Sequence, residues 1–164
     1  MSDERVNEIY RVFGHAAFYA YLYEAELAAL AGTLRAITFP YQSKAEAEQF
    51  DAFLRSKRTA GQFASNELKP LTDGSADWKK FLETTSDARN RLIHRFYEEQ
   101  LPNLFSDSGQ DFVIKELKII AVQLMNGCEA VKSLYHALAQ EHLSIDDNSL
   151  QEVARQTLKR WQSD

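Results

Sequence analysis

Six residues in the middle of the chain combine the side chains that phosphodiester chemistry needs: Arg89-Asn90-Arg91-Leu92-Ile93-His94. Arginine carries a permanent, planar cation whose forked N–H groups match phosphate oxygens. Histidine can both take and give a proton near neutral pH without any tuning. An amide between them can orient either partner. Together they supply charge stabilisation and proton transfer with no metal ion.

No other constellation in the chain competes. There is no Glu-x-x-His pair, His-Glu-x-x-His, zinc-type cysteine set, phosphate-binding glycine loop or nucleophilic serine elbow. The expected complement of metals and cofactors is therefore none. His15 follows Gly14 on an aromatic stretch and reads as a histidine packed at a helix crossing. His136 and His142 lie six apart without partners at ligand spacing. Arg55, Lys57 and Arg58 form a basic knot, read first as a solubilising loop and second as a guide for RNA.

The supporting frame is that of an ordinary protein of 164 residues, with 45% apolar and 26% charged residues. The net charge of −5 argues against promiscuous adhesion to polyanions and leaves room for a local basic groove. The single cysteine, Cys128, forms no intrachain disulfide and reads as a small buried hydrophobe. No run approaches the length of a membrane span, and the first residues lack a secretory layout. Cytoplasm is the expected compartment.

Scarce glycine and proline, six and three, favour helix. A first helix is expected over Asp3 to Ile37, with an inner stripe of Val6, Tyr10, Phe13, Ala17, Ala20, Leu27, Leu30, Leu34 and Ile37. Its other faces are aromatic too, at Phe18, Tyr19, Tyr21 and Tyr23, which implies a bundle centre or a dimer contact. Phe39-Pro40-Tyr41-Gln42 breaks it. Ser43 with Glu46 forms a capping box for a second helix ending near Arg55. Thr59 with Gln62 caps a third, ending before Pro70. Asp73-Gly74 is a turn and Ser75 an N-cap for a fourth helix, Ala76 to Gln100, stopped by Pro102-Asn103. Ser106-Asp107-Ser108 caps a fifth, Gly109 to Glu141, with an inner stripe Phe112, Leu117, Ile120, Leu124, Val131, Leu134 and Leu138. A last helix covers Ser149 to Trp161. With no strand alternation anywhere, the reading is all-α: an up-and-down helical bundle over residues 1–142 and a C-terminal helix in 143–164.

On the fourth helix, about 100° per residue places Trp78, Phe81, Leu82, Thr85, Ala88, Leu92 and Phe96 on the core side. Asn90 and His94 fall one turn apart and can touch. Arg89 lands beside the apolar stripe, about 140° from His94. The two therefore meet only if the long arginine stem wraps round or a second subunit brings the pieces together.

The stretch Ala88-Arg-Asn-Arg-Leu-Ile-His-Arg-Phe-Tyr97 resembles the Arg-x4–6-His motif helix of the HEPN superfamily, the higher eukaryotes and prokaryotes nucleotide-binding domain. The resemblance extends over Val6 to Leu138: a long amphipathic helix, a polar connection, the motif helix and another long helix. It implies a homodimer with two motif helices facing one cleft, and metal-independent endoribonuclease activity of the kind found in toxins and phage-defence factors, with an antitoxin or other regulator as partner. Some toxin members carry tyrosine two residues after the histidine; here that place is Phe96 and the tyrosine comes one later, at Tyr97.

Under that resemblance, His94 is general base or acid, Arg89 holds the phosphate, and Asn90 orients His94 or donates to a phosphate oxygen. Arg91 and Arg95 seat flanking phosphates, and Tyr97 stacks a base or donates a hydrogen bond. The bland alternatives are a solvated Arg91–Arg95 face paired with Asp87, Glu98 or Glu99, and a packing role for Tyr97. Two other functions compete with the nuclease: a catalytically inactive module of the same fold that binds nucleotide, RNA or protein, and a helical scaffold in which the motif is structural.

Overall fold

The computed structural model describes residues 3–38, 43–55 and 68–140. The Thr59–Gln62 cap, Lys57, Arg58, His142 and the Ser149 to Trp161 helix, with the division at residue 142, lie outside the described residues. Among those described there are six α-helices, one 3-10 turn and no strand: α1 Asp3–Thr38, α2 Lys44–Arg55, α3 Lys69–Gly74, α4 Ala76–His94, α5 Phe96–Gln100, the 3-10 turn Leu101–Phe105, and α6 Asp107–Gln140. The protein is an all-α bundle dominated by two helices, α1 of 36 residues and α6 of 34.

Cross-links fix the directions. Arg5 near the start of α1 pairs with Asp107 and Asp111 at the start of α6, and the Cys128 thiol further along α6 donates to the Tyr19 carbonyl. The two long helices thus run parallel. On α4, Leu82 and Ser86 meet Tyr23, whereas Tyr97 beyond its end stacks on Phe13, so α4 runs antiparallel to both. Helix α2 leans on α1, and its start is capped as its sequence predicts, Ser43 Oγ accepting from the Glu46 amide at 3.2 Å.

Two apolar clusters fill the bundle. One gathers Tyr23, Leu27, Leu30, Leu34, Leu71, Trp78, Leu82, Val131 and Leu134. The other gathers Ile9, Val12, Ala16, Leu92, Phe96, Val113, Leu117 and Leu124, and Tyr19 packs against both. Each buried large side chain contributes roughly 1.5–3 kcal/mol. Between the clusters α6 passes close to α4 and α1. A Cβ on Gly127 would collide with Thr85 Cγ2 and lie 3.3 Å from the Tyr23 ring, so only glycine allows that approach.

Several expectations need correction. In its first half α1 buries Ile9, Val12 and Ala16, not Val6, Tyr10 and Ala17, because neighbours on two sides take a different arc of a helix that is apolar nearly all round. Phe112 is exposed and Val113 takes its place inside. Pro70 sits in the first turn of α3, where its missing N–H costs nothing, and Asp73 and Gly74 close that helix. The motif helix ends at His94, not Gln100. Arg95, at φ −130°, breaks it and lets Phe96 turn into the core. His15 is exposed against Tyr19, not packed at a crossing.

Candidate functional site

Ser75 starts α4 as expected, its hydroxyl accepting from the Trp78 amide at 3.3 Å. Trp78, Leu82, Thr85, Ala88 and Leu92 then anchor one face in the bundle and Phe81 is half-buried beside them. With that face held, Asn90 and His94 stand at the opposite edge and Arg89 starts beside the core.

Arg89 wraps. Its stem is mostly covered, with 11% of the side chain exposed, and its head emerges under Asn90 and His94. Nη1 donates to Asn90 Oδ1 at 3.1 Å and meets His94 Nε2 at 3.3 Å. Nη2 meets Glu24 Oε1 of α1 at 2.6 Å. Nε is buried with no hydrogen-bond partner, one of two such side-chain atoms among the described residues. Of the five N–H donors of the guanidinium, three are spent. The expected 140° divergence between Arg89 and His94 is thus closed within one protomer. The wheel gives the direction of Cα–Cβ bonds, and an arginine stem is long enough to turn back.

A guanidinium only donates, so the contact is a hydrogen bond in the tautomer whose Nε2 is bare and whose ring proton sits on Nδ1. His94 is exposed, and Glu24 keeps 31% of its side chain accessible. An imidazole, a carboxylate and a cation therefore share one solvent-reachable edge. Glu24 is the site residue that the sequence reading missed. It lies on another helix, far off in the chain, and no spacing links it to the motif.

The remaining candidates divide. Arg91 is held by Glu99 at 2.7 Å and Glu116 of α6 at 3.2 Å, with its guanidinium carbon 5.8 Å from the Phe96 ring centre. The Glu99 hydrogen bond leads the effects that raise its pKa above the ordinary arginine value. It serves as a brace between α4, α5 and α6. Arg95 is 3.9 Å from Glu99 and more exposed, so its charge stays available. Tyr97 lies with its ring centre 4.8 Å from that of Phe13. Burial raises its phenol above the usual range.

Among the described residues no group of three or more His, Cys, Asp or Glu is arranged to hold a metal ion. No described helix is long and apolar enough to cross a membrane. No family model, curated protein or solved structure matches the chain. The chemistry of this edge rests on its own geometry. It offers a cation for a phosphate, an amide to steady it, and two groups able to carry protons.

Proposed function

We propose that the chain is a HEPN-type, metal-independent endoribonuclease of the cytoplasm, cleaving RNA by attack of its own 2′-hydroxyl, in a toxin or defence setting. The observation that carries this reading is the Arg89 Nη1 to His94 Nε2 contact of 3.3 Å at an open edge. A phosphate drawn into the Arg89 fork would lie beside the imidazole, where charge stabilisation and proton transfer act on the same atoms. Asn90 steadies the guanidinium. Arg95, next to His94 in the chain, is available for a neighbouring phosphate, and Tyr97, against Phe13, for a base. The products are a 2′,3′-cyclic phosphate and a 5′-hydroxyl.

The test is cleavage of a structured RNA in the presence of chelator. His94→Ala and Arg89→Ala should each lower kcat by about 10²–10⁴-fold. Undiminished cleavage by His94→Ala would refute the mechanism.

A second reading, a binding module of the same fold, is favoured by one feature. The ion pair with Glu24 occupies the cation that a phosphate needs. RNA binding without cleavage by the parent protein would select it.

The homodimer belongs to the same proposal. Tyr10, Phe18 and Tyr21 of α1 are 63%, 56% and 71% exposed. They fall within about 80° of the helix circumference around Gly14. An apolar face of that kind is covered in working proteins.

A further inference from the structure

Cleavage through the 2′-hydroxyl needs two proton transfers, one from the attacking oxygen and one to the departing oxygen. The motif supplies a single imidazole. The obvious source of the second group is a second subunit, yet the structure holds a nearer one. Glu24 Oε1 and His94 Nε2 contact the two terminal nitrogens of the same guanidinium, Nη2 at 2.6 Å and Nη1 at 3.3 Å. A carboxylate and an imidazole thus stand on either side of the one cation that would seat the phosphate, and both reach solvent.

We infer that Glu24 is the general base of this site and His94 its general acid, so that one protomer carries the whole reaction. The inference rests on the nuclease reading. Glu24 is suited to the base role because its ion pair with Arg89 engages one carboxylate oxygen at 2.6 Å, and its second oxygen remains to accept a proton. The entering phosphate takes over donors of Arg89 and releases His94 Nε2, which then binds a proton beside the phosphate anion. In the step itself, the 2′-oxygen forms its bond to phosphorus and its proton passes to Glu24. The bond from phosphorus to the 5′-oxygen breaks, and that oxygen takes the proton of His94. Loss of its proton to water returns Glu24 to carboxylate, and His94, neutral again, regains its contact with Arg89 when the product leaves.

Glu24 as a mere counter-ion for Arg89 makes a different prediction, and the rate–pH profile separates the two. The assay uses a dinucleotide and a uridine 3′-(4-nitrophenyl phosphate), whose leaving group needs no acid, with helical content by circular dichroism as the folding control. Glu24→Gln should lower kcat by about 10²–10⁴-fold on both substrates with KM little changed. Its rate should rise tenfold per pH unit where the parent is flat, because hydroxide then replaces the base. Glu24→Asp, which keeps the charge, should retain the shape of the parent profile at reduced kcat. His94→Ala should lose about 10²-fold on the dinucleotide and approach the parent on the nitrophenyl ester. Parent-like rates in Glu24→Gln, or reduced rates with the parent's profile, overturn the base role and leave the nuclease standing. A parent protein that cleaves neither of these substrates nor the structured RNA removes both.

Discussion

Arg89 has three jobs in one head group: it pairs with Glu24, steadies itself on Asn90 and touches His94. Only a planar fork does this. A lysine ammonium is a point charge with three rotating donors and cannot present the same face to a carboxylate and an imidazole. Arg89→Lys keeps the ion pair with Glu24, so thermal unfolding should stay within a few degrees of the parent. Cleavage should fall by about 10²-fold, near the cost of losing one preorganised donor; parent-like cleavage would mean that charge alone suffices. The motif was legible in the residues themselves. The sequence leaves open whether the Arg89 stem wraps round or a second subunit closes the gap, because helical angles say where side chains start and not where long ones end. Glu24 was invisible for a simpler reason, since a contact between two helices leaves no mark in local spacing. For Arg91 the alternative of a pair with Glu99 was legible from spacing, whereas its second partner, Glu116, lies on another helix and was not.

Glycine separates packing from propensity at the level of the helices. Inside a helix, glycine costs about 1 kcal/mol relative to alanine. At Gly14 nothing within the protomer lies within 4 Å of an added Cβ, so in the Phe18→Asp background, which leaves this face of α1 uncovered, Gly14→Ala should stabilise the protein by about 0.5–1 kcal/mol in dilute denaturant titrations. At Gly127 the same methyl collides with Thr85 and crowds Tyr23. Overpacking of about 1–3 kcal/mol should outweigh the propensity gain, and Gly127→Ala should unfold at lower denaturant. Opposite signs from one substitution on two long helices would support the tight approach of α1, α4 and α6 at Gly127. Equal signs would refute it. Helix positions and caps were readable beforehand at Ser43, Ser75 and Ser106, where short polar side chains have one good use. The phase of α1 was not readable, because a helix apolar on most sides does not announce which arc its neighbours take.

The whole molecule presents two surfaces of opposite character to a partner: the polar edge at Glu24, Arg89 and His94, and the aromatic face of α1. The second is the expected dimer contact, and Phe18→Asp should convert a dimer to a monomer in light scattering while leaving the helical signal intact. A monomeric parent would remove the homodimer and leave the single-protomer mechanism untouched. Inside, two buried acids tie the bundle's stability to pH. Burial pushes the Cys128 thiol up to about 12 from an ordinary 9.0, with Glu26 and Glu129 adding to the effect. Burial likewise raises the Tyr23 phenol above its ordinary 10.0. In each case the folded state holds a proton that the unfolded chain releases. Their stabilisation is therefore complete below pH 9 and declines as the pH climbs toward the folded values. From pH 9 to 10 the thiol should cost at most about 1.4 kcal/mol per pH unit, with a steeper fall once Tyr23 joins. Denaturant titrations of the parent and of Cys128→Ala check this through their slopes against pH, which are insensitive to the small cavity the variant leaves. The parent should lose stability faster than Cys128→Ala between pH 9 and 10, and Tyr23→Phe should flatten the curve only above pH 10. Identical slopes in all three would refute the assignment of the alkaline loss to these two groups.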